Sequence, residues 1–288
     1  MANCSIPMHS DATRAQLEER TSWNINFRAA ATLDPLAALP VLPDVVTLQE
    51  VTLRHSEGVR ERLHDMGYAT VYSGREDASD KRYDNVIAAL TQLTLVDSVA
   101  LGFRWPQMAA HAVVDTPGGR INVVTVHVPN GSGNGWKKID TFDALKQMVL
   151  ALKGAPLVLT GDFNEPRWVP TQDGHIVTWG QDEQGGQWLP WNMWTFDGVS
   201  DTGERWDAAV RWFFDSQDES GIRNALWDDA GHGAMEASHL SHGAERWFDH
   251  VFISDHFEVG SCAYRHAFRT DGFSDPSAVL ASLFFAPG

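Results

Sequence analysis

The sequence predicts an α/β fold in which helices pack outside sheets. Short aliphatic and β-branched runs recur along the chain, each bounded by polar or turn residues. Amphipathic helical spacing falls between some of those runs, which points to strands and helices in layers. Hydrophobic residues make up 43% and charged residues 21%, a globular composition. A chain of 288 residues is long enough for a sizeable core, whether it forms one large domain or two.

Taken in order, the strand runs are Trp23 to Phe27, Val45 to Leu48, Tyr68 to Tyr72, Val86 to Leu90, Ile121 to Val128, Leu157 to Thr160, Phe248 to Ile253 and Val279 to Phe285. A helix is expected from Glu57 to Asp65, carried by Val59, Leu63 and Met66. The 3.6-residue spacing of Ile139, Phe142, Leu145, Val149 and Leu152 predicts a second from Lys138 to Lys153, and Gly154 then supplies a stop. No internal repeat or low-complexity linker divides the chain. Residues 1–20 are read as an N-terminal extension and 21–288 as a single domain. Of twelve tryptophans, nine fall between residues 168 and 247, together with the glycine and acid mixture Gln181 to Gly186. That segment is read as a long, loop-rich elaboration whose rings serve packing, with base stacking as the alternative.

Twenty-two Lys and Arg oppose 38 Asp and Glu, a formal net charge of −16. This excludes a surface that holds nucleic acid by bulk electrostatics. Arg75, Lys81, Arg82, Lys137, Lys138 and Arg167 fall in loops or near strand ends and are candidates for a local positive lip. Cys4 and Cys262 make neither a disulfide framework nor a pair with metal-ligand spacing. The first twenty residues lack the pattern of a secretory leader, and no stretch approaches the roughly 18 apolar residues of a membrane span. The expectation is a cytoplasmic protein without membrane or protein partner.

Function is written in the polar residues at strand ends. Asn24 and Asn26 lie in the first strand, and Glu50 follows the second. His127 and Asn130 close the run from Ile121, while Asp162 and Asn164 close the run from Leu157. Two late strands are reversed: Asp249 opens one and Asp275 precedes the other. If the late strands run opposite to the early ones, all these residues converge at one end of the sheets. Converging carboxylates repel, and a hard divalent cation neutralises them. Mg2+ takes one or two protein carboxylates and keeps several waters, leaving room for phosphate oxygens, to which amides and imidazole can donate. Metal-assisted hydrolysis of a phosphate ester is the chemistry this set suits.

These residues lie in segments that resemble the endonuclease/exonuclease/phosphatase superfamily, the group of deoxyribonuclease I-like and exonuclease III-like enzymes. The resemblance runs from Ser22 to Asn26, through Pro43 to Glu50, Val124 to Asn130 and Leu159 to Asn164, to Phe248-Asp249 and Ser274-Asp275. It implies a four-layer α/β sandwich, two mixed β-sheets face to face with helices outside. It implies that Glu50 is the principal ligand of Mg2+, with Mn2+ as substitute, and that Asn24 and Asn26 join the same metal-water cluster. Asp162 would orient or deprotonate the attacking water. Asn130 and Asn164 would hold the phosphate, with His127 contacting it or protonating the leaving oxygen, and Asp249 and Asp275 would complete the acidic rim.

One position departs from the family pattern. Its last motif is Ser-Asp-His, and here it reads Ser274-Asp275-Pro276. Proline supplies neither a side-chain donor nor a backbone N–H. His239 and His242, in the segment before Asp249, could fill the role, and His266 is a weaker candidate. His250 would face the opposite side of its strand from Asp249. Asp84, before the strand from Val86, could orient His127 or be a solvated acid. The expected activity is a divalent-metal-dependent phosphodiesterase, a nuclease or nucleotide phosphodiesterase acting by in-line attack of water. The alternative is an impaired member that binds a phosphorylated ligand or nucleic acid without turnover.

Overall fold

A computed structural model describes residues 17–24, 33–72, 83–91, 93–96, 103–130, 135–167, 169, 176–181, 202–215, 217–230, 236–241, 243–270 and 277–285. The strands in chain order are β1 (Leu17–Asn24), β2 (Val45–Thr52), β3 (Ala69–Tyr72), β4 (Tyr83–Ala89), β5 (Leu93–Val96), β6 (Ala109–Thr116), β7 (Gly119–His127) and β8 (Leu157–Asp162). They continue with β9 (Ile222–Asn224), β10 (His239–Ser241), β11 (Ala244–Arg246), β12 (Asp249–Ser254), β13 (Phe257–Arg265) and β14 (Ala278–Phe285). The helices are α1 (Asp34–Ala37), α2 (Leu53–Asp65), α3 (Gly135–Ala151), α4 (Thr202–Asp215), α5 (Gln217–Ser220), α6 (Ala225–Ala230) and α7 (Ala267–Thr270).

Two six-stranded sheets form, in the orders β13-β14-β1-β2-β4-β3 and β5-β6-β7-β8-β12-β9. Both are mixed: β1–β2 and β7–β8 are parallel pairs, and the other pairs are antiparallel. Strand alternation sorts the side chains. In the first sheet Val46, Leu48, Val86 and Ala88 join Val59 and Leu63 of α2 in one buried cluster. The alternate residues Val45, Ile87 and Ala89 instead join the β6, β7 and β8 side chains of the second sheet. Two polar contacts cross the same layer, Thr47 to Thr160 (Oγ1–Oγ1 2.8 Å) and Gln49 Nε2 donating to Thr125 Oγ1 (2.6 Å). The sheets therefore stack face to face with helices outside, the four-layer arrangement the sequence predicts.

The expected strands form with shifted ends, and residues 25–27 of the first lie outside the described residues. The first begins at Leu17, inside the stretch read as an extension. The expected helices begin earlier, at Leu53 and at Gly135. The Trp-rich segment carries more regular structure than a loop elaboration: α4, α5, α6, edge strand β9 and the β10–β11 hairpin all lie within it. Trp206, Trp212, Trp227 and Trp247 are buried there, so packing is the use of those rings, while Trp168, Trp188, Trp191 and Trp194 lie outside the described residues.

At Gly161 the parallel β7–β8 pair comes close. A Cβ there would stand 2.0 Å from the Val126 carbonyl oxygen, at φ 144°. Only glycine lets β8 lie in this register against β7. On the outer face of the second sheet, His250 is wholly buried among Phe163, Phe214, Trp227 and Phe252. Its Nε2 donates to the carbonyls of Trp247 (2.7 Å) and Glu165 (2.9 Å), and Nδ1 accepts from Asn224 Nδ2 (3.0 Å). That network requires the neutral ring with its proton on Nε2.

Burial lowers the His250 pKa from 6.5 to about 4, against the pull of the two carbonyls. Between those values the unfolded chain binds a proton that the native chain does not. Stability is therefore full above pH 6.5 and falls as pH drops toward 4. The contribution lost is at most about 3 kcal/mol. Urea midpoints measured across this range should decline in the native protein, with a smaller decline in a His250→Gln variant.

Candidate functional site

Three neighbouring strand ends of the second sheet build one side of the site. His127 closes β7 opposite Asp162 on β8, and Asp162 stands opposite Asp249 on β12. Because β12 runs antiparallel to β8, its first residue meets the last residue of β8, as the reversal of the late strands requires. Directly paired residues share a face. Thr160, two residues before Asp162, reaches Thr47 of the other sheet, so this row points into the space between the sheets.

The first sheet supplies the opposite side. Its β2–β4 ladder shifts register between Leu48 and Val51, and within that bulge Glu50 takes a left-handed backbone, φ 58°. The bulge takes Glu50 out of strand alternation and sends its carboxylate to His127, with Nε2–Oε1 at 3.3 Å. The same Nε2 lies 3.9 Å from Asp162 Oδ2. One imidazole thus stands between two carboxylates from different sheets. Asp249 is wholly buried, so it acts on anything in the cleft only through a neighbour. Its carbonyl accepts the Tyr264 hydroxyl (2.7 Å).

Asn164 is the other non-glycine residue with positive φ among the described residues, at 51°. Its backbone N–H donates to Asp162 Oδ1 (2.8 Å), which leaves Oδ2 on the His127 side. Its side-chain Nδ2 donates to the Val128 carbonyl (2.9 Å), tying the end of β8 to the end of β7. One N–H of that amide is thereby committed, and one remains for a ligand. Asn130 is exposed just beyond β7. On β1, Asn24 stands opposite Gln49 in the parallel ladder, one position from Glu50. The start of β14 lies beside the end of β1, Val279 opposite Ser22. Asn26, His242, Asp275 and Pro276 lie outside the described residues.

Other candidates fall in different places. Asp84 is not a solvated acid. It is buried opposite Val51 and shares the parity of Val86 and Ala88, which places it on the α2 face. His250 faces away from the cleft, as its strand position requires. His266 has both ring nitrogens engaged, with Ser277 Oγ (2.6 Å) and Glu236 Oε2 (2.5 Å). His239 stacks on Phe248 with centroids 5.7 Å apart. Its neighbour Ser238 accepts through Oγ from the N–H groups of Phe248 (3.1 Å) and Asp249 (3.4 Å), and through its carbonyl from Ser277 N–H (2.8 Å).

The residues expected to form a positive lip fall in different places. Lys138 does not belong to it, being wholly buried with Nζ 3.1 Å from Glu165 Oε1. Lys137 and Arg104 lie over the Trp105 ring at 5.4 and 5.0 Å, and Arg167 and Arg246 over Trp179 at 4.9 and 5.5 Å. Arg75, Lys81 and Arg82 lie outside the described residues. Sequence reading missed Lys138, Glu165 and Trp206 as a buried group. A signal for Lys138 existed: it stands four residues before Phe142 and seven before Leu145, on the apolar stripe of α3.

Among the described residues no three His, Cys, Asp or Glu side chains converge to hold a metal by themselves. Mg2+ needs less, one or two carboxylates with the remaining positions filled by water. Glu50, whose carboxylate the bulge sends to His127, fits that requirement.

Removing the strained side chain tests how the site is held. Left-handed backbone costs a non-glycine residue about 1–2 kcal/mol, and a new glycine costs about 0.5–1 kcal/mol in unfolded-chain entropy. In chelator-containing buffer Glu50→Gly should therefore gain up to about 1 kcal/mol over the native chain, whereas Glu50→Ala, which keeps the Cβ, should gain less. Paired urea denaturation curves check the order.

Known proteins complete the picture. The Endonuclease/Exonuclease/phosphatase family matches residues 21–275. No curated protein matches the chain by sequence. Among solved structures, the chain is similar to the 3′ phosphatase NExo from Neisseria bound to product DNA hairpin, at TM-score 0.62 and 21% identity over 93% of this chain and 98% of that one. It is similar to an AP endonuclease from Archaeoglobus fulgidus, at 0.61 and 16% over 92% and 98%. It is also similar to D. rerio TDP2 complexed with single strand DNA product, at 0.59 and 15% over 91% and 97%. With its fold, its strand-end residues and its sequence all in agreement, the chain belongs to the endonuclease/exonuclease/phosphatase family.

Proposed function

We propose that the protein is a divalent-metal-dependent phosphodiesterase acting on nucleic acid or a nucleotide. Hydrolysis of a phosphoric ester is the chemistry of the family to which it belongs. The observation that carries the reading is the single imidazole of His127 set between Glu50 and Asp162 from facing sheets. A bound Mg2+ or Mn2+, held by Glu50 with Asn24 and Asn26, would supply charge neutralisation at the phosphate oxygens.

The chain's own groups account for the rest of the chemistry. Asp162, oriented through Oδ1 by the Asn164 N–H, presents Oδ2 to a water and accepts its proton. His127 donates to a phosphoryl oxygen or to the leaving oxygen. Asn130 and the remaining Asn164 N–H hold the phosphate, and Asp249 and Asp275 keep the surroundings acidic. Attack in line with the leaving group follows, with inversion at phosphorus. NExo, the Archaeoglobus fulgidus enzyme and TDP2 are respectively a 3′ phosphatase bound to DNA, an AP endonuclease and a protein complexed with single strand DNA, which favours a nucleic acid over a lipid or inositol ester.

We infer that His239 takes the role for which Pro276 has no group. Ser277, next to Pro276, bonds to Ser238, next to His239, and the His239 ring lies on the residue preceding Asp249. His239 then serves as the imidazole that the final motif lacks. A member that binds without turnover is the second reading, favoured by the proline itself.

Hydrolysis of bis(p-nitrophenyl) phosphate and of single-stranded oligonucleotides should stop with chelator and return with Mg2+. Asp162→Asn should lower kcat by about 10²–10⁴-fold without unfolding the chain. Ligand binding without metal-dependent turnover would establish the second reading instead. The His239→Gln variant should lose about 10²-fold in kcat and alter the pH–rate profile. An unchanged profile would remove His239 from the reaction.

A further inference from the structure

Lys138 and Glu165 are wholly buried, and neither touches the cleft residues' side chains through any bond described above. We propose that this ion pair is a positioning device: it fixes the turn from Asp162 to Asn164, and so sets the direction in which Asp162 faces His127. The inference rests on the phosphodiesterase reading for its consequence in rate, but its geometric part stands apart from it.

The contacts converge on one short stretch of chain. From the first turn of α3, Lys138 Nζ donates to the Asn164 carbonyl (2.7 Å) and meets Glu165 Oε1 (3.1 Å), with the Trp206 ring beneath it at 5.2 Å. Glu165 Oε1 also accepts from Trp206 Nε1 (2.5 Å), and Oε2 accepts from Trp179 N–H (3.2 Å). The Glu165 carbonyl accepts from His250 Nε2. Consecutive carbonyls, those of Asn164 and Glu165, are thus held from α3 and from β12, and the Glu165 carboxylate is held from α4 and from the segment at Trp179.

What this clamp holds is a residue in a costly conformation. Asn164 has φ 51°, and it is through this backbone that its N–H reaches Asp162 Oδ1. If the Asn164 peptide rotates, the bond to Asp162 is lost and Oδ2 is no longer directed at the imidazole. Strained backbone persists only where its surroundings over-determine it.

A need for stability does not explain the charges. Burial lowers the Lys138 pKa and raises the Glu165 pKa, and each partner opposes the other's shift without cancelling it. Well-packed apolar residues commonly serve as well as a buried ion pair or better. An ammonium differs in having three directed donors, which can grip a carbonyl and a carboxylate at once.

The test replaces both charges together with groups of similar size, Lys138→Met with Glu165→Gln, so that no lone buried charge remains. The folded double variant should keep its urea midpoint near that of the native protein. Its Asn164 amide should lose about tenfold or more in hydrogen-exchange protection, while amides in the middle of β7 and β8 keep theirs. In Mg2+ its kcat for bis(p-nitrophenyl) phosphate should fall about a hundredfold with KM little changed. Unchanged Asn164 protection overturns the proposal, as does an unchanged kcat in a native protein that turns over, or a loss that only follows a fall in stability. A native protein without turnover overturns the phosphodiesterase reading, and the exchange measurement then decides the positional claim. If the double variant does not fold, Trp206→Phe, which removes the N–H to Glu165 together with part of the ring, is read by the same two measurements and the same criteria.

Discussion

The register of β8 between β7 and β12 is the constraint on which the site depends. It places Asp162 opposite His127 on one side and Asp249 on the other. Strand periodicity is two, so a slip of β8 by one residue would turn Asp162 out of the cleft and away from both neighbours. Gly161 enforces the register from within, since a side chain there would meet the Val126 backbone. The parallel pair also explains why α3 is where it is. A parallel connection needs a crossover, and the β7-to-β8 crossover is the helix that carries Lys138. The element that makes the pairing possible thus delivers the cation that holds its end.

Strain is concentrated where function is proposed. Glu50 and Asn164, the non-glycine residues with left-handed backbone among those described, stand in the β2 bulge and just past β8, on opposite sides of the cleft. Glu50 leaves regular geometry where the β2–β4 ladder shifts register, and Asn164 where β8 has ended. In each the departure re-aims a polar group: a carboxylate at Glu50, a backbone N–H at Asn164.

Much of the site was legible because polar residues at the ends of apolar runs are conspicuous. Glu50, His127 and Asp162 are brought together as the strand-end pattern implies, with Asp249 directly beside Asp162. The bulge at Glu50 was not legible, since nothing in Leu-Gln-Glu-Val marks a register shift. Nor were β6 and β13. The Ala-Ala-His-Ala start of β6 lacks the large β-branched side chains that announce a strand, and β13 alternates buried and exposed residues around an irregularity at Val259/Ser261. Helix α4 was hidden by composition. Its Trp206, Val210 and Phe213 follow helical spacing, yet glycine, acid and tryptophan dominate the surrounding segment. Lys138 was misread for a different reason. A lysine at a helix start ordinarily lies in water, and only its partner, far along the chain and directly after the Asp162–Asn164 motif, draws it inside.

Net charge and local charge pull in different directions here, and distance decides between them. A formal charge of −16 opposes the approach of a polyanion at long range. At physiological salt, charges farther than about 8 Å from a phosphate are largely screened, so the groups nearest the cleft matter most. Arg167 follows closely on Glu165, and Arg246 precedes Asp249 by three positions. Both lie against the same Trp179 ring, which in turn neighbours Phe248. A guanidinium resting on an aromatic face gives up part of its side-chain freedom before any ligand arrives, so less entropy remains to be lost on binding. An acidic chain can thus present a fixed positive edge beside an acidic cleft. Binding there would depend on the short span of ligand in contact rather than on a long run of phosphates.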